Sequence, residues 1–376
     1  MKKIYYFTNI APHYRKEIWF LLSEEQSWRF NFVFGDNFSS NPIIPLNIKA
    51  NSMESKCHKV RNIAWKNVLI WQVGVIGLCL SKSMDIAIFL GDMHILTNWL
   101  ASLICRVRGI KVLYWGHGFS GKEGFLKKFF RTWFNSLAHE HLLYGQRGKN
   151  IMVGLGFIPS KLHVISNSLA YSEHFKLRSS FQHTKKEKVF HFFKNPDLPT
   201  LLFIGRLTPS KEIYLLIEAL YNLNAESLKY NLLIIGEGEE EEKLKELGYK
   251  AIEDKSLHFY GRSYNEKENS ILIAHADLCV SPGNIGLTVI HCLSYGTPSA
   301  THNNFANQMP EYEAITPFET GFFFKENDLE DICEKIKGWF DSNTLKREEI
   351  RRKCYSKVDN YYNPEKQMDI FKKVLV

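Results

Sequence analysis

The chain has 376 residues, 45% of them hydrophobic, and a formal net charge of +8 at pH 7. This length predicts two domains, and the apolar content is enough for two packed cores. The seven cysteines form no Cys-x-x-Cys pair, which argues against a zinc site and a disulfide framework and favours a reducing compartment. The longest apolar stretch, Val68–Leu80, is shorter than the roughly 20 residues that span a bilayer, and the N-terminus has no signal-peptide pattern. We therefore expect a cytoplasmic protein that is soluble or peripheral to a membrane.

The charge is distributed unevenly along the chain. Counted over Lys, Arg, Asp and Glu, residues 1–170 carry a net +12 and residues 171–376 a net −4. A basic half indicates an anionic partner, and nucleic acid, anionic lipid headgroups and a pyrophosphate-linked acceptor are the candidates. A surface charge that only aids solubility is the alternative.

Short apolar runs alternate with helical patterns in the first half. This alternation is typical of βαβ units and predicts a parallel sheet covered by helices. The predicted helices include Tyr14–Ser23 and Leu96–Arg106, and the predicted strands are Lys3–Asn9, Phe30–Phe34, Asp85–Leu90, Lys111–Trp115, Leu142–Tyr144 and Leu162–Ile165.

A polar, charged stretch at residues 171–199 predicts a domain linker, after which the pattern restarts. The next predicted strands are Thr200–Ile204, Tyr230–Ile235, Leu257–Tyr260, Leu278–Ser281 and Pro298–Ala300. We therefore predict an α/β fold with two Rossmann-like, doubly wound domains that face each other across a cleft. The N-terminal domain is placed at 1–170, joined by a C-terminal helix at 361–376, and the C-terminal domain at 200–360. Ligands are expected at the carboxyl ends of the strands.

The clearest local signal is the stretch from Gly205 to Lys211, which follows an apolar strand. Glycine lets the backbone approach a ligand, a helix N-terminus offers N–H groups, and Arg206 and Lys211 add cationic donors. We interpret this stretch as an anion-binding turn. The alternative is a pair of solvated cations at an ordinary helix start.

Two further strand ends carry glycine-rich turns. Gly236 and Gly238 follow one strand, in a pattern that also fits any tight strand-to-helix turn. The segment from Ser281 to His291 leads from another strand into a helix. The first turn of that helix is expected to contact a diphosphate through Ile285, Gly286, Leu287 and Thr288.

These three elements, in this order and spacing, resemble the carboxyl half of the retaining glycosyltransferases of family 4, which have the GT-B fold. The resemblance continues through His258–Arg262, Ala276–Pro282, Gly296–Pro298 and Gly321–Phe323; it covers residues 200 to 324 well and the first half loosely. It implies a retaining, metal-independent hexosyltransferase that needs no cofactor besides its sugar-nucleotide co-substrate. A UDP-sugar is the first expectation and a GDP-sugar the second.

The resemblance also assigns donor-side residues. Gly205 and Gly236 lie beside the donor, Arg206 and Lys211 grip its diphosphate and act in catalysis, and Arg262 follows the turn where the family's backbone meets the base. The family has two glutamates, separated by seven residues, where this chain has Gly283 and His291. We expect His291 to bond a ribose hydroxyl through a ring nitrogen. A following amide-rich segment, unless it is a polar surface loop, offers sugar contacts from Asn303, Asn307, Gln308 and Glu311.

The first half contributes the acceptor side. His117 follows the strand Lys111–Trp115, and the resemblance implies a catalytic place near the anomeric carbon; a simple turn histidine is the alternative. His13 and Arg15, in the first strand-to-helix loop, are expected to contact phosphate or acceptor. An aromatic stripe from Phe125 to Leu137, flanked by lysines, is typical of an interfacial membrane helix, although a core-facing helix fits the same pattern.

Together these expectations describe a transferase at the inner face of a bacterial cytoplasmic membrane. It would move a sugar to a hydroxyl of a surface glycan, such as lipopolysaccharide, O-antigen or capsule, or of a lipid-linked oligosaccharide. The expected partners are a sugar nucleotide, the glycan acceptor and an anionic membrane surface, with no nucleic acid and no metal. A sugar-nucleotide epimerase or hydrolase, with Glu311 or Asp92 as its base, and a non-catalytic sugar-nucleotide-binding protein are the alternatives.

Overall fold

The computed structural model describes residues 1–36, 44–48, 53–66, 68–181, 184–227, 229–342 and 346–376. The chain divides into two compact units, one formed by residues 1–170 with 363–376 and one by residues 171–362. Each unit is built on one sheet of mostly parallel strands.

Within the described residues, the sheet of the first unit has the strand order β4-β3-β2-β1-β5-β6-β7-β8. All its neighbours are parallel except β3 and β4, which pair antiparallel at one edge. The strands are β1 Lys2–Thr8, β2 Trp28–Gly35, β3 Cys57–Trp65, β4 Leu69–Val73, β5 Ile86–Leu90, β6 Lys111–Gly116, β7 Glu140–Leu143 and β8 Leu162–Val164. The helices between them are α1 Lys16–Glu24, α2 Val75–Ser81, α3 Leu96–Val107, α4 Phe125–Ser136 and α5 Gln146–Gly154.

The sheet of the second unit has the order β11-β10-β9-β12-β13-β14, and all the pairs are parallel. Its strands are β9 Thr200–Ile204, β10 Asn231–Ile235, β11 Leu257–Gly261, β12 Leu278–Ser281, β13 Ser299–His302 and β14 Gly321–Phe324. Its helices are α6 Tyr171–Leu177, α7 Lys186–Val189, α8 Ile213–Leu223, α9 Glu241–Leu247, α10 Tyr249–Glu253, α11 Glu266–His275, α12 Thr288–Ser294, α13 Leu329–Ser342 and α14 Arg347–Tyr361. The last helix, α15 Pro364–Leu375, returns to the first unit.

The core of the first unit shows why its strands are continuous apolar runs. In β1 every residue from Ile4 to Thr8 is buried, because helices cover both faces of the parallel sheet. On one face Trp19 of α1 stacks on Phe32, with ring centroids 4.4 Å apart. On the same face Phe371 of α15 packs edge-on against Trp115 at 5.2 Å, so the C-terminal helix completes this core.

Residues 171–199 correct the linker prediction, because they pack as part of the second unit. Arg178, just after α6, donates two 2.8 Å hydrogen bonds to the carboxylate of Asp359 and a third of 2.9 Å to Ser294 O. The stretch resembled a linker because it is rich in charged residues, and one of these, Arg178, bonds Asp359 and Ser294 of the second unit. Residues 182–183 of this stretch lie outside the described ones.

The structure differs from the prediction also in elements whose apolar residues follow neither the helical nor the strand repeat. The stretch Val68–Leu80 contains strand β4 and most of helix α2, and β3 before it was not predicted. The strand expected at Pro298–Ala300 spans Ser299–His302. No helix within the described ranges combines the length and the apolar character that crossing a bilayer requires.

Replacing Trp19 by Ala should destabilise the first unit by about 3–5 kcal/mol, because its fully buried indole fills the core between α1 and the sheet. The matched control is Phe20→Ala on the next residue of the same helix, where the ring is 45% exposed and the expected loss is below about 1 kcal/mol. Denaturant unfolding followed by tryptophan fluorescence and circular dichroism would measure both changes. Equal losses for the two variants would contradict this account of the core.

Candidate functional site

The three glycine-rich turns of the second unit meet at one edge of its sheet. Strand β9 lies between β10 and β12, so the chain leaves its carboxyl end where the strand order reverses. In doubly wound sheets this switch point is where ligands bind. Gly205, Gly236 and Gly283 follow the ends of β9, β10 and β12, and the parallel sheet therefore brings together the turns that the sequence predicted as one site.

The turn from Gly205 to Lys211 is in backbone contact with both neighbouring turns. A Cβ atom at Gly236 would lie 1.8 Å from Gly205 O, and one at Gly283 would lie 2.2 Å from Ser210 O. The amide of Gly283 also donates a 3.0 Å hydrogen bond to Lys211 O. No side chain larger than hydrogen fits at either glycine unless the turn moves. The carboxylate that the family resemblance led us to expect at position 283 is thus excluded by packing.

Lys211 is the partly buried cation of this site. Its Nζ donates to the backbone O of Asn284 at 2.5 Å and to the Oδ1 of the same residue at 2.9 Å. Burial, together with the positive charge of Arg206, lowers the pKa of Lys211 to about 8, against an opposing effect of the Glu311 carboxylate. The Arg206 side chain is exposed. One exposed and one partly buried cation therefore act on the same turn.

The helix that follows Gly286 is fixed to the strand beside it. Thr288, the first residue of α12, donates its hydroxyl to Ile204 O at 3.1 Å. The amide of Ile285 donates to Gln308 Oε1 at 3.0 Å, and Gln308 Nε2 donates to the hydroxyl of Thr301 at 2.8 Å. Gln308 is buried and both ends of its amide are occupied. Gln308, predicted to bond a sugar, thus joins the loop before α12 to β13 through its amide.

The rest of the amide-rich segment is divided between exposed and internally bonded side chains. Asn303 is exposed, whereas Asn307 donates its amide to Glu326. Glu311 is buried, and its charge acts on Lys211. Four residues of this segment were predicted to contact the sugar. Asn303 is exposed, Asn307 and Gln308 are hydrogen-bonded within the protein, and Glu311 acts electrostatically on Lys211.

His291 is paired within the protein. Its Nε2 lies 2.8 Å from Glu266 Oε1, and the hydroxyl of Tyr295 donates to the same oxygen at 2.6 Å. The ring of His174, from α6, lies 5.3 Å from the ring of His291, and its burial lowers the pKa of His174 to about 3. The ribose contact was predicted through a ring nitrogen of His291, and one of the two, Nε2, faces Glu266. Sequence reasoning missed Glu266 and His174, which are distant in the chain and belong to no motif.

Arg262, expected near the base, is exposed at the end of β11. Its guanidinium donates to the carboxylate of Glu237 and to the hydroxyl of Tyr264, and it lies 4.2 Å from the centre of the Tyr264 ring. The pairing with Glu237 links the turn after β10 to the turn after β11.

The first unit has a cavity of about 490 Å³ at the carboxyl ends of β1, β5 and β6. Asn9, Arg15, Asp92 and His117 line it. The structure thus brings the predicted residues Arg15 and His117 together, while His13 is exposed and its Nδ1 lies 3.2 Å from Ile44 O. The cavity wall also contains Arg131, which pairs with Glu123 at 2.8 Å and was not among the predicted site residues.

Arg15 is a buried cation held by hydroxyls and an aromatic ring. Only 6% of the residue is exposed, and its guanidinium donates to the hydroxyls of Tyr6 and Tyr144. Its charged carbon lies 4.6 Å from the centre of the Trp115 ring, which provides cation–π attraction. Within the described residues no carboxylate pairs with Arg15, so its charge is available to a ligand in the cavity.

Comparison with known proteins agrees with this geometry. Residues 184–357 match the family model described as glycosyl transferases group 1, a segment that contains every glycine turn discussed above. No curated protein shows significant sequence similarity to the chain.

Solved structures match the fold over the whole chain at low identity. The lipopolysaccharide outer core galactosyltransferase WaaB has a TM-score of 0.70 at 13% identity, covering 99% of both chains. HepE from Anabaena, in complex with UDP, has a TM-score of 0.71 at 13% identity and covers 100% of this chain and 99% of its own. A putative UDP-N-acetylglucosamine 2-epimerase from Listeria monocytogenes has a TM-score of 0.63 at 13% identity, with 99% and 95% covered. The likeness to the GT-B structures confirms the predicted α/β fold with two sheets of mostly parallel strands.

Replacing Gly283 by Ala should destabilise the second unit by about 1–3 kcal/mol, because the added methyl group collides with the backbone of Ser210 and Lys211. The control is Gly338→Ala in α13, where an added Cβ has no neighbour within 4 Å and the helix should gain up to about 1 kcal/mol. Denaturant midpoints would compare the two variants. A Gly283→Ala protein as stable as Gly338→Ala would show that the turn yields easily, and that packing does not exclude a side chain there.

Proposed function

We propose that the protein is a retaining glycosyltransferase that moves a sugar from a nucleoside-diphosphate sugar to a hydroxyl of a glycan acceptor. The observation that carries the proposal is the cationic turn from Gly205 to Lys211, which lies inside the segment matching glycosyl transferases group 1. A UDP-sugar is our first choice of donor and a GDP-sugar the second. HepE, which has the same fold, has been solved with UDP-glucose.

The proposed chemistry assigns the charge on the leaving diphosphate to protein cations. The Arg206 side chain is exposed on the turn, and the Lys211 ammonium is bonded to the neighbouring turn at Asn284. A phosphate bound there would interact with both positive charges. Such preorganised cations stabilise the transition state by several kcal/mol, typically about 10²–10³-fold in rate for each donor group. In a metal-independent, retaining reaction the leaving phosphate oxygen accepts the proton of the acceptor hydroxyl, and the new glycosidic bond forms on the same face of the sugar.

The cavity of the first unit is the proposed acceptor site. Arg15 supplies it with a positive charge that no described carboxylate pairs with, and His117 and Asp92 supply polar groups. An acceptor that carries phosphate or carboxylate groups, as a lipid-linked oligosaccharide or a surface glycan does, would complement this cavity. The WaaB galactosyltransferase, named for the outer core of lipopolysaccharide, shares the fold.

An epimerase or hydrolase remains a second candidate, favoured by one observation. Glu311 is a buried carboxylate whose charge acts on Lys211. A sugar nucleotide bound to Arg206 and Lys211 would therefore lie near this carboxylate. Such a carboxylate can act as the general base that abstracts a proton from a sugar. Incubation of the protein with a sugar nucleotide alone separates the candidates, because a transferase needs an acceptor for rapid turnover.

We further propose that helix α4 holds the protein at an anionic membrane surface. The apolar side chains Phe125, Leu126, Phe129, Phe130 and Trp133 are between 48% and 85% exposed, beside the exposed Lys127 and Lys128. Leu96, Leu100, Leu103 and Val107 of α3 form a second exposed apolar stripe, and Trp99 of α3 contacts Trp133 at 5.3 Å. Exposed apolar stripes next to lysines are the pattern of interfacial helices.

Replacing Lys211 by Ala should lower kcat/KM by about 10²–10³-fold, because the diphosphate loses a partly buried cation. A thermal-shift screen with UDP-, GDP- and dTDP-sugars first identifies the donor, and turnover is then measured by release of the nucleoside diphosphate. Lys245→Ala, which removes a lysine whose partners lie on its own helix α9, is the control and should leave kcat/KM unchanged. In the unaltered protein, donor affinity should weaken as pH rises above about 8, because Lys211 then loses its proton.

Two results would contradict the transferase proposal. If Lys211→Ala bound and used the donor as well as Lys245→Ala, the turn would not be the diphosphate site. If the unaltered protein epimerised or hydrolysed the sugar nucleotide at full speed without acceptor, the second candidate would replace the first.

The double substitution Phe125→Ser with Phe129→Ser should weaken binding to anionic vesicles at least about tenfold, since each inserted phenyl ring contributes roughly 1.5–3 kcal/mol. Co-sedimentation with phosphatidylglycerol vesicles measures this binding. Tyr249→Ser, at a residue that is 60% exposed in the second unit, is the control. Failure of the unaltered protein to bind these vesicles, or equal binding by the double variant, would overturn the membrane proposal.

A further inference from the structure

Three potential metal ligands from three helices of the second unit converge on one point. They are His174 from α6, Glu266 from the start of α11 and His291 from α12, and their ligand atoms all lie within 4.8 Å of one another. His174 is buried, and the other two residues are partly exposed. No step of the proposed sugar transfer uses His174 or Glu266.

Two of the three distances between ligand atoms in this cluster are close to the spacing of ligands around a metal ion. Glu266 Oε1 lies 3.3 Å from His174 Nε2 and 2.8 Å from His291 Nε2. With bonds of about 2.0–2.1 Å, two ligands of a tetrahedral zinc ion lie roughly 3.4 Å apart. The contact to His174 has this length already, and the contact to His291 needs to open by about half an ångström.

The hydrogen bonds of the cluster leave His174 poorly satisfied. Glu266 Oε1 already accepts from the Tyr295 hydroxyl at 2.6 Å and faces His291 at 2.8 Å, whereas His174 approaches it only to 3.3 Å. The other ring nitrogen of His174, Nδ1, is buried without a hydrogen-bond partner among the described residues. The nitrogen that faces the cluster, Nε2, is held by one 3.3 Å contact and can therefore bind an additional ligand.

We propose that His174, Glu266 and His291 bind a divalent transition-metal ion, with Zn²⁺ as the best match. Two imidazoles and one carboxylate form a donor set that suits zinc and leaves a position for water, and Tyr295 orients the carboxylate from behind. The ion joins α6, α11 and α12, and so fixes the helix that follows the glycine turn at Gly286. This inference departs from the expectation of no metal, and it does not depend on the proposed function.

The test measures metal binding by the full-length protein without a polyhistidine tag. After treatment with a chelator and its removal, the protein is titrated with Zn²⁺ against a chromophoric competitor, and with Co²⁺ by visible absorption. We expect one ion per chain, and a Co²⁺ spectrum with d–d bands but no thiolate charge-transfer band, because the set contains no cysteine. Glu266→Gln, which keeps the shape of the side chain, and His291→Ala should each weaken Zn²⁺ binding at least about 100-fold.

The matched control is His163→Ala in the first unit, where His163 Nε2 lies 2.9 Å from the Glu140 carboxylate and no third potential ligand joins them among the described residues. This variant should bind Zn²⁺ as the unaltered protein does. Circular dichroism and gel filtration show whether each variant is folded, and the isosteric Glu266→Gln keeps the test valid if His291→Ala unfolds. The proposal is overturned if the unaltered protein remains metal-free, if Glu266→Gln binds Zn²⁺ with unchanged affinity, or if His163→Ala loses binding equally.

Discussion

The candidate donor site depends on a contact between backbones. The turn after β9 lies so close to the turns after β10 and β12 that Gly236 and Gly283 have no room for a Cβ atom. Glycine allows such a close approach of two backbones, and it thereby fixes the positions of the three turns relative to one another. Arg206 and Lys211 belong to the turn after β9. Asn284, which accepts hydrogen bonds from the Lys211 ammonium, belongs to the turn after β12.

The same contact explains why position 283 carries no side chain. A glutamate at position 283 would require the cationic turn to move away, so the chain combines a tightly packed turn with the loss of that carboxylate. Negative charge is instead present on Glu311, which is buried and acts on Lys211, and on Glu266, which faces His291. Both carboxylates come from parts of the chain outside the glycine turns, and each acts on a residue of the protein itself.

The sequence predicted those parts of the structure that depend on neighbouring residues. Buried parallel strands are continuous apolar runs, so β1, β9 and β10 could be placed within one or two residues, and the turn from Gly205 to Lys211 follows directly from its strand. Contacts between distant segments carry no such signal. Glu266 and His291 are 25 residues apart, and His174 lies in a stretch whose polarity resembled that of a linker. Gln308 looked like a ligand residue because an amide that bonds a loop backbone has the same sequence signature as one that bonds a sugar.

Helix α15 has a consequence for how the chain reaches its native state. Phe371 and Leu375 fill the core of the first unit, yet nearly two hundred residues of the second unit separate them from the rest of that core. During synthesis the second unit has all its strands available before residues 364–375 leave the ribosome, whereas the first unit must wait with part of its apolar surface uncovered. Because domains generally fold as units in the order of their completion, the unit that begins the chain is the last to be finished. Aggregation and chaperone binding are therefore most favoured while the first unit of the nascent chain still lacks α15.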